Sequence, residues 1–167
     1  IFFSGGLNVN IYKSKNYKVI HDLLGGEYFV DIDQFSERDF PSDTSMLQND
    51  LNNPNRVVTE GDTYGYNYDV HINSGSLWGL AEFSYSRFDF YAGLNLGGSQ
   101  FWRDGKMMNG RYPENSYGKS DVNSYFSYAV KAGLTYKLTG RHFFVLNTAY
   151  ISLAPSFSDV YQAPRIN

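Results

Sequence analysis

From Asn123 to Leu138 the chain alternates strictly. Phe126, Tyr128, Val130, Ala132, Leu134, Tyr136 and Leu138 fall on one parity, and Ser127, Ala129, Lys131, Gly133, Thr135 and Lys137 on the other. Successive side chains of a strand point to opposite faces, so this stretch reads as one long β-strand with an apolar, aromatic face and a polar face. The same separation runs from Phe88 to about Trp102, where Phe88, Phe90, Ala92, Leu94 and Leu96 oppose Asp89, Tyr91, Gly93, Asn95, Gly97 and Ser99. Near the N-terminus Phe3, Gly5, Leu7, Val9 and Ile11 alternate with Ser4, Gly6, Asn8, Asn10 and Tyr12. The pattern is looser from Ser76 to Ser86. From His142 to Ser152 its phase stays open, with Phe144, Leu146, Thr148 and Tyr150 against Phe143, Val145, Asn147 and Ala149. Glu82, Asp89, Lys131 and Lys137 all take the less apolar parity of their strands, which supports the phasing.

Composition agrees with strands. Aromatic residues make up 18% of the 167 residues and there are 16 glycines, a balance that favours β-structure and excludes an all-helical protein. There is no cysteine, so disulfide scaffolds, zinc–thiolate sites and thiol enzymes are excluded. The net charge is −3 and no basic run occurs, so nothing marks a nucleic-acid partner. No apolar run approaches 18 residues, which excludes a spanning helix but not a spanning barrel. The chain opens at Ile1 directly into strand-like residues, where no signal peptide is expected, and it closes on Ala-Pro-Arg-Ile-Asn at 163–167. Both ends are expected to be internal to a longer protein.

The connections are of two kinds. Ser86-Arg87 and Thr139-Gly140-Arg141 read as tight turns, the second with a glycine expected at positive φ. The segments 14–74 and 104–122 are long and polar. Strands are therefore expected near 2–13, 75–86, 88–103, 123–138 and 142–152, with long loops at one end of the sheet and tight turns at the other. This parity requires that Gly61 to Ile72, with Tyr64, Tyr66 and Tyr68, be a local β excursion inside the long connection. The stretch 31–58 is expected to be the least ordered, since its Asp, Asn, Ser and Pro content offers little to bury.

A soluble β-sandwich alternates in the same way. Its strands, however, usually have about five or six residues, whereas the stretches at 88–102 and 123–138 reach or exceed the roughly 9–11 that cross a bilayer. Aromatics near the strand ends (Phe88, Tyr136, Phe143, Phe101, Trp102, Tyr125) add to the signature of an outer-membrane barrel. The fold class expected is all-β: an antiparallel up-and-down meander forming a partial transmembrane β-barrel, with long extracellular loops and tight periplasmic turns. Five strands cannot close a barrel, since these start at about eight. The alternative is a soluble or surface-exposed β-sandwich that binds carbohydrate or a host surface. A complete small barrel would need 61–72 in the sheet and further strands within 14–58.

Individual constellations point away from chemistry. His21-Asp22 are sequence neighbours that seldom orient each other, and no nucleophile stands at a diagnostic spacing, so no enzyme is expected. Asp31, Asp33 and Glu37 lack the glycine and ligand count of a calcium loop and read as a solvated acidic loop. The glycines of 93–98 lie inside a strand, where they relieve crowding or allow curvature. No cofactor or metal is expected.

Several runs carry a resemblance. Asp22-Leu23-Leu24-Gly25-Gly26, Leu77-Trp78-Gly79-Leu80-Ala81-Glu82-Phe83, Phe101-Trp102-Arg103, Lys131-Ala132-Gly133-Leu134-Thr135-Tyr136 and Ala149-Tyr150-Ile151-Ser152 before Ala154-Pro155 occur in order along nearly the whole chain. Together the sequence resembles the barrel domain of TonB-dependent outer-membrane receptors, departing at Leu153, where Arg is the expected residue. The resemblance implies an internal slice of a larger barrel in the bacterial outer membrane. It implies uptake of a large scarce nutrient (siderophore, vitamin or glycan), with lipid, the rest of the barrel, a plug domain and, through that plug, TonB as partners. Asn8, Asn10, Glu82, Asn95, Lys131, Thr135 and Lys137 would face the lumen. Tyr64, Tyr66, Tyr68, Trp102, Arg103, Arg111 and Tyr112 would line a ligand vestibule, stacking on sugar or chelate rings.

Overall fold

A computed structural model describes residues 1–161, 163 and 166. Most of the run at 163–167 therefore lies outside the described residues. The chain is all-β with an antiparallel up-and-down sheet. Its strands are β1 (Phe2–Val19), β2 (Phe29–Val30), β3 (Val57–Val58), β4 (Thr63–Ser84), β5 (Phe88–Gly105), β6 (Gly118–Lys119), β7 (Asn123–Lys137) and β8 (Phe143–Ser152); short helices are α1 (Gln34–Asp39) and α2 (Phe157–Val160). The main sheet runs β1-β4-β5-β7-β8, with β6 on β5, while β2 and β3 pair separately. Consecutive long strands are thus neighbours, and β1 and β8 end the row.

Two boundaries differ widely from the sequence reading. β1 continues past residue 13 to Val19. β4 starts at Thr63, so the 61–72 stretch is no excursion: most of it is the first half of a 22-residue strand. The alternation of Tyr64, Tyr66 and Tyr68 continues in phase with Trp78 and Leu80, and nothing between them breaks the strand. Because this lengthens a strand without adding one, the long connections still fall at one end. Within 14–58 only the last part of β1 and the two-residue β2 and β3 form strand, fewer than a complete small barrel would need.

The chain divides into two compact units. The first comprises Ile1–Ile11, Ile72–Gln100 and Ser124–Ser156, and the second Tyr12–His71, Phe101–Asn123 and Phe157–Asn167.

In the first unit, ring contacts fix which side chains share a face. Phe3 meets Phe83 edge-on at 6.1 Å, Phe83 stacks on Phe90 at 4.6 Å, and Phe88 on Tyr136 at 4.9 Å. The β7–β8 register sets Leu134 opposite Leu146 and Tyr136 opposite Phe144. That settles the open phase of β8, whose Phe144, Leu146, Thr148 and Tyr150 join the apolar face. This face is uncovered: Leu94, Val130 and Leu134 are 47, 48 and 40% exposed. Among the described residues the buried hydrophobic side chains, Val58, Val70, Phe101 and Met107, all belong to the second unit.

The other face of this unit is polar, with large rings seated over glycines. A Cβ on Gly6 would lie 2.8 Å from the Trp78 Nε1, and one on Gly133 only 2.1 Å from Tyr91 Cε1. Gly97 lies similarly against Ser127 and Ser76. Glycine here does relieve crowding. The tight turns close as expected at Ser86-Arg87, where the Tyr85 N–H donates to the Phe88 carbonyl. At 139–142, however, Gly140 is not at positive φ. Thr139 shapes that turn instead, its Oγ1 accepting from the Arg141 and His142 amides.

The second unit contains the segment expected to be least ordered. It is folded back on itself and buries mostly polar side chains, with Val58 the buried hydrophobic one. Asp31, Asp33, Ser36, Gln48, Asn49 and Asp50 are all buried. The solvated acidic loop is thus corrected for Asp31 and Asp33. Asp33 caps α1, accepting from the Phe35 amide and the Ser36 hydroxyl. Hydrogen bonding makes such burial tolerable.

Candidate ligand-binding surface

Asp31 organises one side of the second unit. Its carboxylate accepts from Asn49 Nδ2 at 2.8 Å, from Arg56 at 2.7 Å and from the Gly65 amide at 2.9 Å. Arg56 also donates to the Thr63 carbonyl. These bonds anchor the start of β4 and fix where its tyrosines stand. Gly65, at φ +75°, lets the Lys18 stem pass within 3.5 Å of where a Cβ would be.

Above that anchor Lys18 from β1 meets the tyrosines of β4. Its ammonium lies 5.8 Å from the Tyr64 ring centroid and 5.2 Å from that of Tyr66, within cation–π range. Phe29 packs edge-on against Tyr64 at 5.8 Å, and Tyr66 lies 5.8 Å from Tyr68. A recess of about 310 Å³ opens beside this row, bordered by Lys18, Phe29, Gln34, Phe35, Asn49 and Tyr64. Phe35 is 67% exposed on it. Rings, a cation and amide groups facing one recess can hold a polar, ring-bearing ligand through stacking and hydrogen bonds.

The structure does not gather all the residues expected to line a vestibule. Tyr64, Tyr66 and Tyr68 share one row. Arg103 reaches Tyr68, its guanidinium 4.5 Å from the ring centroid, but it is 2% exposed and donates to the Ser116 carbonyl at 3.0 Å. It braces the scaffold and is withdrawn from the surface. Trp102 precedes Arg103 on β5 and so points to the opposite face. There it lies flat on His71 at 4.9 Å, with the Lys119 ammonium 4.7 Å from its ring centroid. Arg111 and Tyr112 form a third group, Arg111 sitting 5.3 Å from Phe40 just after α1.

Asn8, Asn10, Glu82, Asn95, Lys131, Thr135 and Lys137 all fall on the polar parity of their strands. Asn95 and Lys131 border one shallow recess there with Trp78 and Tyr91, and Glu82 and Thr135 another with Tyr91 and Asn147. Asn8 donates to Ser76, and Lys137 to Asp89 at 2.7 Å. Sequence reasoning missed Lys18, Phe29 and Phe35. Carrying the alternation of β1 past residue 13 would have put Lys18 on the parity of Asn8 and Asn10; for Phe29 and Phe35 no local signal exists.

Among the described residues no cluster of His, Cys, Asp or Glu is arranged to hold a metal ion. No helix there is long and apolar enough to cross a membrane. Comparison with protein-family models, curated proteins and solved structures returns no match.

Proposed function

We propose that this chain is part of the barrel of a TonB-dependent receptor in the bacterial outer membrane, taking up a large scarce nutrient such as a siderophore, a vitamin or a glycan. The observation that carries the reading is the uncovered apolar face of the first unit. Phe3, Leu7, Val9, Leu77, Leu94, Val130, Leu134, Phe144 and Leu146 all lie exposed, and none of the buried hydrophobic side chains among the described residues belongs to that unit. In water such a face would forfeit about 25 cal/mol for each Å² left unburied. A sandwich would cover it with a second layer; hydrocarbon covers it without one.

The rest follows from bilayer physics. Edge strands cannot face lipid with unpaired N–H and C=O groups, so β1 and β8 pair with further strands and the sheet is a partial barrel. The polar face lines the lumen and meets a plug domain, through which TonB acts. The recess at Lys18 and Tyr64 belongs to the ligand vestibule. The test is cysteine scanning of the full-length protein in lipid. Cysteines at Leu94, Val130 and Leu134 should react with a lipid-soluble label, and those at Lys131 and Thr135 with a water-soluble one. The reverse pattern would falsify the reading.

A further inference from the structure

Lys18 borders the recess beside Tyr64, and no carboxylate among the described residues pairs with it. Its exposed ammonium is held by the rings of Tyr64 and Tyr66 instead. Asn49 borders the same recess and is 3% exposed. Its Nδ2 donates to Asp31, and a carboxylate only accepts, so the amide cannot be turned round. That leaves Asn49 Oδ1 buried with no hydrogen-bond partner. A buried acceptor in that state is costly, and a hydroxyl entering the recess satisfies it. Asp33, the carboxylate on the rim, is 3% exposed and accepts from the Phe35 amide and the Ser36 hydroxyl. What the recess offers a ligand is therefore a cation, an unpaired acceptor and the rings of Tyr64 and the exposed Phe35.

We infer that this recess binds one hexuronate residue of an acidic glycan. The inference rests on the reading of the recess as part of the ligand vestibule, and it narrows the nutrient to a sugar that carries a carboxylate. The volume of about 310 Å³ lies at the small end of ligand pockets, roughly 300–1,000 Å³, so it has room for a single sugar ring rather than a whole metal chelate. The carboxylate pairs with Lys18, whose ammonium is a compact point charge. A ring hydroxyl donates to Asn49 Oδ1. The C–H face of the sugar lies on Phe35, whose 67% exposure leaves its ring open to contact. A neutral sugar leaves the cation unanswered, and an aromatic acid without hydroxyls leaves the amide oxygen unpaired.

The experiment titrates the full-length protein in nonionic detergent, by calorimetry, with trigalacturonate, with its full methyl ester and with benzoate. The ester keeps the rings and hydroxyls but removes the charge; benzoate keeps a ring and a carboxylate but has no hydroxyl. The wild type should prefer the acid over the ester by roughly tenfold or more, and benzoate should not compete. Lys18→Met should bring the acid down to the affinity of the ester while the ester still binds, and Lys18→Arg should keep the preference. Phe35→Ala, an exposed position, should weaken acid and ester alike by about threefold or more. Equal affinity for acid and ester, binding of neither, a preference that survives Lys18→Met, loss of both sugars in Lys18→Met, or competition by benzoate each overturns the proposal. Cysteine labelling at Leu94 and Lys131 in the same preparation reports on the barrel separately: the hexuronate site can fail while that pattern stands, and a reversed pattern removes the barrel whatever the titration shows.

Discussion

Gly133 has no side chain because Tyr91 occupies the space above it. The phenol donates to Asn147 Oδ1 at 3.2 Å, so one ring ties together β5, β7 and β8. Gly133→Ala should force that ring off the sheet and cost about 1–3 kcal/mol, the range of an overpacked site. Adding Tyr91→Ala should recover much of the loss, since the two positions compete for one volume. Thermal unfolding of the two single variants and the double variant checks this; additive losses would show that the space is not shared. Asp31 is a second such point. Asp31→Ala removes the acceptor of three donors and leaves Arg56 without its carboxylate, which should cost about 3–5 kcal/mol. Hydrogen exchange reads it locally: the Gly65 amide should lose protection in Asp31→Ala and keep more of it in Asp31→Asn, which retains a carbonyl oxygen.

At the scale of elements, β4 depends on how it is entered. The turn at 59–62 precedes it, with Gly61 at φ +90° and its amide bonded to the Ile20 carbonyl, so the turn also binds the end of β1. The Asp62 carboxylate accepts from the Thr59 amide at 2.8 Å and the Thr59 hydroxyl at 3.1 Å, and these bonds hold its pKa below the ordinary aspartate value. A carboxyl depressed in the folded state contributes its stabilisation in full above the free value of about 3.9, and loses it as pH falls through the folded value. The protection factor of the amides across 59–62, taken against the intrinsic rate at each pH, should therefore be steady above about pH 5 and fall as the solution is taken below about pH 4. Asp62→Asn should exchange faster at neutral pH and show little of that acid response. Asp43, lowered in the same way by the Ser45 hydroxyl and amide, should behave alike at its own turn.

At the scale of the whole molecule, the placement of burial separates the two units by chemistry. One buries Val58, Val70, Phe101 and Met107 together with amides and carboxylates; the other leaves its apolar face open. If that face meets lipid, Leu134→Arg should impair insertion by about 2–4 kcal/mol at mid-bilayer depth, whereas Thr135→Arg, one residue along on the polar face, should be tolerated. Folding into lipid vesicles, followed by the mobility difference between heated and unheated samples, compares the two. Equal damage from both would mean that the two faces do not differ in what they contact.

Much of this was legible in the chain. The faces of β1, β5 and β7 follow from residues two apart, because the period of a strand is a local property of its backbone. The residues of the polar face follow from the same period. The phase of β8 was not legible, since Phe143 and Phe144, or Val145 and Leu146, serve either face equally well until Leu134 and Tyr136 are set opposite them. Nor was the burial of Asp31, whose side-chain and amide donors lie 18, 25 and 34 residues away. Residue type puts Trp102 and Arg103 in one vestibule, yet adjacency in a strand sends them to opposite sides. The sequence by itself determined which residues share a face, because alternation needs no distant partner. Only the tertiary structure decided which polar side chains are buried, how far β1 and β4 extend and which rings meet Lys18, because each of those depends on contacts between segments far apart in the chain.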